Sequence, residues 1–478
     1  MIFLYIALGA LGVFLAVILI RGALFTPKTF PVTQSEPVEF DKNAAVSALQ
    51  QLVRCKTVSY YDKSAEDDEE FRKLIDLLPT LYPHVFRVCS FDKISDRALL
   101  FRWEGKKHDA PTVLMAHFDV VPVNADQWEK DPFCGEIENG VLWGRGTLDT
   151  KVTMNSALFS ANTLIERGFV PEQDLYFAFS GQEEVNGEGA SLIVDWFEAH
   201  GVTPGFVLDE GGGVVEKVFP GVKEPCGLIG IAEKGMMNVR YSVKSGGGHA
   251  SAPKPHTPVG ILSRACCAVE NHPFPMHVTA PAAAMFDTLG RHSTFLYRVI
   301  FANFGIFKGI LDSMGKSKGG EINALLRTTV AFTQMKGSQA PNVIPPRATM
   351  TANLRLNPKD TMESAKAYVE SVINDPNVTV TIDGGMNPSR ISTLDCDGWR
   401  KVSAAVAETW TGCLVAPYLM VQCSDCRHYG RISDRVYRFS AMDLTAEERA
   451  TIHGNNERIR LAALEKSVEF YLRLIQSC

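Results

Sequence analysis

The sequence has no second C-x-x-C pair: its eleven cysteines are odd in number and scattered, with only Cys266-Cys267 and Cys423-x-x-Cys426 near one another. A zinc ribbon needs two such pairs and a disulfide framework needs partners, so neither is expected. Surplus positive charge is missing too. With a net charge of −6 and no basic stripe interleaved with aromatics, the chain is not expected to bind nucleic acid. There are no repeats or low-complexity tracts, and 478 residues, 46% hydrophobic and 21% charged, suit a globular protein of two or three domains.

Charge is also absent from the first twenty residues. A helix there would rise about 30 Å, the thickness of a bilayer's hydrocarbon core. No Lys or Arg precedes the apolar run and no clear A-x-A site follows it, so 1–21 is expected to be an uncleaved single-pass membrane anchor rather than a signal peptide. Arg21 and Lys28 follow the span, and two charges leave the side of the membrane open. Residues 22–40, with Pro27, Pro31 and Pro37, read as a linker that lifts the globular part off the bilayer.

Beyond the linker, Asp41 can cap a helix carrying Ala45, Leu49 and Leu52, and a second helix is expected around Phe71 to Leu81. Strands near Ala98 to Trp103, Thr112 to His117, Leu175 to Ser180 and Phe206 to Leu208 alternate with helical patterns at Ala157 to Arg167 and Ala190 to His200. That alternation predicts an α/β fold, a mostly parallel sheet flanked by helices, with ligands at the carboxyl edge of the strands.

The chemically loaded residues fall at that edge. In Met115-Ala116-His117-Phe118-Asp119, the period of two puts His117 and Asp119 on one face, a metal ligand and the carboxylate that orients its ring. Taken alone, an H-x-D strand is more often a satisfied core histidine. However, Asp149 sits just before a helix in a glycine-rich turn, Glu183-Glu184 follow the strand ending at Ser180, and Asp209-Glu210 follow the strand ending at Leu208. Adjacent acids at the ends of buried strands repel unless a cation lies beside them, and imidazole with carboxylates suits zinc, singly or as a bridged pair.

Seven ordered strings resemble the M20 family of metallopeptidases, nearest its carboxypeptidase S and PM20D1-like branch: MAHFDVVPV, GRGTLDTK, GQEEVNGEGA, VLDEGG, GGGHASAP, PNVIP and IHGNNERI. The resemblance implies two zinc ions per subunit, held by His117, Asp149, Glu184, one acid of Asp209-Glu210, and His453, with Asp149 bridging. It implies that Asp119 orients His117 and that Glu183 is the general base. His249 and Asn342 would reach a partner subunit's oxyanion, and Arg355 would take a substrate carboxylate. Gln422 to His428, with Asp425 and Arg427, resembles the family's substrate loop, although cysteine stands at one of its small-residue positions. Thr150 departs from the family's usual residue after the bridging aspartate and leaves the ligand set intact.

The implied activity is cleavage of peptide bonds near a free C-terminal carboxylate; the alternative is hydrolysis or synthesis of N-acyl amino acids. The presence of every implied ligand and of Glu183 argues against an inactive membrane receptor on the same fold. Domains are expected at 41–235 and 357–478 for a catalytic unit and at 236–356 for an inserted α+β lid that pairs two subunits. Alternation at Asn238 to Val243, Thr328 to Thr333 and Ala348 to Leu356 predicts antiparallel strands in the lid, and Pro258 to Glu270 a helix. The apolar stretch Phe295 to Met314 is expected to be lid core, with a membrane-dipping surface as the alternative.

Overall fold

The computed structural model describes residues 1–217 and 219–478. Strand Lys107–His117 lies inside a nine-stranded sheet, between parallel neighbours Gln173–Ser180 and Phe206–Asp209. The sheet is mixed rather than mostly parallel, because Ser90–Ser95 and Ala98–Trp103 form an antiparallel hairpin whose second strand also runs antiparallel to Gln173–Ser180. Its apolar runs are nearly continuous because both faces are covered. Leu99, Leu114, Ala116 and Phe177 meet helices Lys151–Glu166 and Leu461–Ser477, while Leu100, Val113, Met115 and Ala178 meet helix Gly189–Ala199.

A separate antiparallel sheet runs in the order Thr329–Lys336, Arg347–Leu356, Gly235–Lys244 and Thr379–Met386. Helices Pro258–Asn271 and Met362–Ile373 cover one of its faces. The expected boundary at 356 therefore falls too early, since strand Thr379–Met386 pairs with Gly235–Lys244 and completes this unit. The boundary also encloses too much. Met285, Phe286, Leu289 and Leu325, on helices Ala280–His292 and Gly320–Leu326, pack on Leu228, Leu414 and Leu419 of the large sheet, outside the core of the small one.

Between those helices, Phe295–Ala302 and Phe304–Lys318 expose Phe295, Leu296, Tyr297, Ile306, Ile310 and Met314, and their Phe301 and Phe304 pack on the large-sheet side rather than on the small sheet's core, so this stretch is not lid core. The N-terminal helix Ile2–Leu24 is long and apolar enough to cross a membrane. Its buried residues are Ile18 and Gly22. The segment after it does not stand off from the body. Gly412 donates its N–H to the Val32 carbonyl at 2.7 Å, Ser35 donates to Glu408 O at 2.7 Å, and Arg473 to Glu36 O at 2.6 Å. An irregular chain satisfies its backbone groups on the body it crosses.

Candidate active site

Five side chains converge at the carboxyl edge of the large sheet. His117 ends its strand, Asp149 precedes helix Lys151–Glu166, Glu183 and Glu184 occupy one short turn after strand Gln173–Ser180, and Glu210 follows strand Phe206–Asp209. His453 joins them from a turn near the C-terminus, held there by a left-handed backbone (φ 59°). Asp149 stands between the two imidazoles: Oδ1 is 3.0 Å from His117 Nε2 and Oδ2 is 2.9 Å from His453 Nε2. The first pairing extends to Glu210 Oε1, 3.4 Å from His117 Nε2, and the second to Glu184 Oε2, 3.1 Å from His453 Nε2.

Asp119 does more than orient the ring. Its Oδ1 lies 3.3 Å from His117 Nδ1 and accepts the Glu183 N–H at 3.1 Å, while Oδ2 accepts the Glu184 N–H at 3.2 Å. One fully buried carboxylate thus fixes an imidazole and the turn that presents two more acids.

The charges are crowded. Burial, and then repulsion from Asp149, pushes Glu210 up to about 8. Burial raises Glu183 well above the usual glutamate range; Glu210 and Asp425 add to it, and the charge on His117 opposes it. Hydrogen bonds to Asp149 and Glu184 push His453 up to about 10. The same two histidines outweigh burial at Asp149 and hold it below the aspartate range. Protons on imidazoles and carboxylates therefore balance a site short of positive charge. Metal ions fit this donor set: His117, Asp149 and Glu184 offer ligand atoms within 4.8 Å of one another, as do His117, Glu183 and Glu210, and buried Glu184 Oε1 has no hydrogen-bond partner.

Other expected residues are placed differently. Asp209, kept beside Glu210 as a ligand, does not join the group; it turns the opposite way, and its Oδ2 accepts the Cys426 N–H at 2.9 Å. Buried Asp425 accepts the Ser180 hydroxyl, and Arg427 reaches Asn186 Oδ1 at 3.1 Å, so that loop is tied to the Glu183–Glu184 turn. Arg355 Nη1 lies 3.6 Å from Cys423 Sγ. His249 lies on an exposed two-stranded ladder with Val343–Ile344, and Asn342 just before that second strand; His249 Nδ1 is 2.8 Å from Ser251 Oγ, and neither residue lines the cavity at the site. The cysteines are free, Cys423 and Cys426 included.

The sequence reading missed Glu457. It is fully buried, and its Oε1 accepts the N–H groups of Gly146, Leu148 and Asp149 at 3.0, 2.8 and 3.3 Å. Its Oε2 takes Arg145 Nη1 at 2.6 Å, while Arg145 Nη2 donates to Gly454 O at 2.7 Å. The pair links the Asp149 turn to the His453 turn. Only the position of Glu457 in the last family-like string hinted at this.

A cavity of about 600 Å³ opens on Asp149, Glu183, Glu210 and His453. Away from them its wall is largely apolar, with Phe219, Leu228, Phe286, Leu325 and Met442 among its residues. A mixed α/β sheet with imidazoles and carboxylates gathered at its edge above such a cavity defines a metal-dependent hydrolase. The chain belongs to peptidase family M20/M25/M40, whose description matches residues 113–477. It is 34% identical over 449 residues to a Xenopus tropicalis protein named N-fatty-acyl-amino acid synthase/hydrolase PM20D1, covering 93% of this chain and 87% of that one. It is 31% identical over 481 residues to probable carboxypeptidase S-like 2 of Dictyostelium discoideum, covering 98% and 92%. The crystal structure of the M20 family metallo-carboxypeptidase Sso-CP2 from Sulfolobus solfataricus shares the fold, with a TM-score of 0.65 at 17% identity over 90% of this chain and 98% of that one.

Proposed function

We propose that the chain hydrolyses, and in reverse forms, the amide bond of N-acyl amino acids whose acyl group is long and apolar. The observation that carries this reading is the cavity ending on the carboxylate cluster, whose wall is mostly apolar with Glu321, Gln422, Ser440 and Arg449 interspersed: Phe219, Leu228, Phe286, Leu325 and Met442 offer a hydrocarbon chain a surface on which to be buried. The name of the Xenopus relative agrees with it. The second reading, carboxypeptidase-type peptide cleavage, draws on the name of the Dictyostelium relative. Arg355 beside the Cys423 loop suits a free carboxylate under either reading.

Two zinc ions would be held by His117, Asp149, Glu184, Glu210 and His453, with Asp149 shared. When bound they would polarise the scissile carbonyl and bring the pKa of a water toward about 7. Glu183 accepts a proton from the attacking water as the water's oxygen bonds to the acyl carbon, and returns it to the nitrogen as the C–N bond breaks, leaving a carboxylic acid and an amine. Asp119 keeps His117 and both glutamates in register while this occurs. His249 on the exposed ladder and Asn342 beside it would serve a partner subunit's site, donating to the oxyanion. The N-terminal helix stays attached as a membrane anchor; its packing against the body supports this. The decisive assay gives metal-loaded protein N-long-chain-acyl amino acids and dipeptides in parallel, and cleavage of the dipeptides alone would overturn the first reading.

A further inference from the structure

Helix Phe295–Ala302 and the Asn303 turn that leads into helix Phe304–Lys318 are attached to the N-terminal helix. Helix Phe295–Ala302 runs antiparallel to it: Val299 meets Gly22, where a Cβ would come within 2.5 Å of Val299 Cγ2, and one turn on, Asn303 Nδ2 donates to the Ile18 carbonyl at 3.0 Å. Ile18 lies three residues before Arg21, the charge that closes the apolar span, a rise of about 4.5 Å. If Ile2–Leu24 spans a bilayer, the Asn303 turn is carried below the level at which the span ends. That puts the turn at the headgroup boundary, the shallow edge of the depth of about 5–10 Å at which interfacial helices lie.

The side chains suit that position. Leu296 is 69% exposed, and on helix Phe304–Lys318 the residues Ile306, Ile310 and Met314 recur every fourth position, with Ile310 59% exposed. Lys308, Lys316 and Lys318 lie on the same helix, able to reach headgroups while their stems remain apolar. The patch continues to the cavity. Ile322, on helix Gly320–Leu326, lines the cavity and is itself 43% exposed. Another part of the cavity wall, helix Ala280–His292 with Phe286, is tied to the segment after the N-terminal helix by Lys28 to Asp287 at 3.1 Å and Arg291 to Thr26 O at 3.1 Å.

We propose that residues 295–322 form a platform seated in a phospholipid leaflet, and that the acyl chain of the substrate passes from that leaflet into the cavity beside Ile322. The proposal rests on the anchor and the N-acyl substrate assigned above, and its tests separate from theirs. Full-length protein carrying Ile310→Trp is placed in phosphatidylcholine vesicles with brominated acyl chains. Its fluorescence is expected to be quenched beyond that of the unsubstituted protein, and no added quenching overturns the seating, whatever the substrate. Leu296→Asp with Ile310→Asp is then expected to slow turnover of a vesicle-held N-long-chain-acyl amino acid about tenfold. Turnover of a water-soluble N-acetyl amino acid should be unchanged. Equal loss on both substrates, or loss on neither, overturns entry from the leaflet. Should the unsubstituted protein cleave neither substrate, the proposed function fails while the quenching still decides the seating. An intact mass placing the mature N-terminus beyond Ile20 removes the anchor and overturns the platform with it.

Discussion

Glu457→Gln changes a single side-chain atom and tests whether the Asp149 and His453 turns depend on one buried ion pair. The glutamine oxygen can still accept from the N–H groups of Gly146, Leu148 and Asp149, but its amide would turn a donor toward the Arg145 guanidinium. Burial raises the Glu457 carboxyl above the usual glutamate value, and Arg145 and the N–H donors pull it back. Breaking a buried pair of this kind costs about 3–5 kcal/mol, because the surviving charge is left without compensation. Replacing both partners with apolar groups would not restore the loss. Three backbone N–H groups would then be orphaned, at about 1–3 kcal/mol each.

For a chain of 478 residues, unfolding entropies near 2.1 cal/mol/K per residue turn that penalty into a fall in Tm of about 3–5 °C. Calorimetry on the metal-free protein measures this brace by itself. Competition with a chromophoric chelator measures the second effect, a loss of metal affinity of about 10- to 100-fold, typical when a residue supporting the ligands is removed. A lower Tm with unchanged affinity would mean that Glu457 braces the fold without setting the ligand geometry. No change in either would refute the argument from burial.

Glu183→Gln should keep its metal and lose about 10² to 10⁴ in rate; because Glu183 also lies within ligand range of His117 and Glu210, a parallel loss of metal would make it a ligand instead. Metal uptake by the metal-free protein should release protons and tighten with rising pH. Glu210, at about 8, and His453, at about 10, are largely protonated near pH 7 and must shed those protons to bind, so an affinity flat with pH between about 6 and 9 would contradict the charge balance. Arg355→Lys should raise KM for free-carboxylate substrates more than for their amides, and equal shifts would reduce Arg355 to a structural role. Mixing His249→Ala with Glu183→Gln should restore activity if subunits exchange and the histidine serves its neighbour's site, whereas an exchanged but inactive mixture would confine His249 to its own chain.

What the sequence made legible depended on whether the physics was local. His117 and Asp119 could be paired because strand parity is a property of adjacent residues, and the structure adds that the same carboxylate also holds the Glu183–Glu184 turn. Parity runs out where a strand ends. Past Asp209 the chain enters Gly211, Gly212 and Gly213, all at positive φ, and their turn, not the ladder, aims Glu210 at His117 and leaves Asp209 to Cys426. Glu457 was hidden for a different reason. Its Arg145 partner is 312 residues away in sequence, and its other three donors are backbone N–H groups, which leave no mark in a sequence.

The apolar stretch from Phe295 to Met314 marks the limit of pattern reading. A spacing of four residues shows that Ile306, Ile310 and Met314 share a face, but the same spacing serves a helix buried on a sheet and one lying against lipid. Only the third dimension separates the two. The structure leaves Ile306, Ile310 and Met314 exposed while Phe301 and Phe304 pack on the body, and it bonds the turn between the two helices to the Ile18 carbonyl of the N-terminal helix. Periodicity tells which side of a helix avoids water; what covers that side is decided by the element beside it, here one that lies almost 300 residues earlier in the chain.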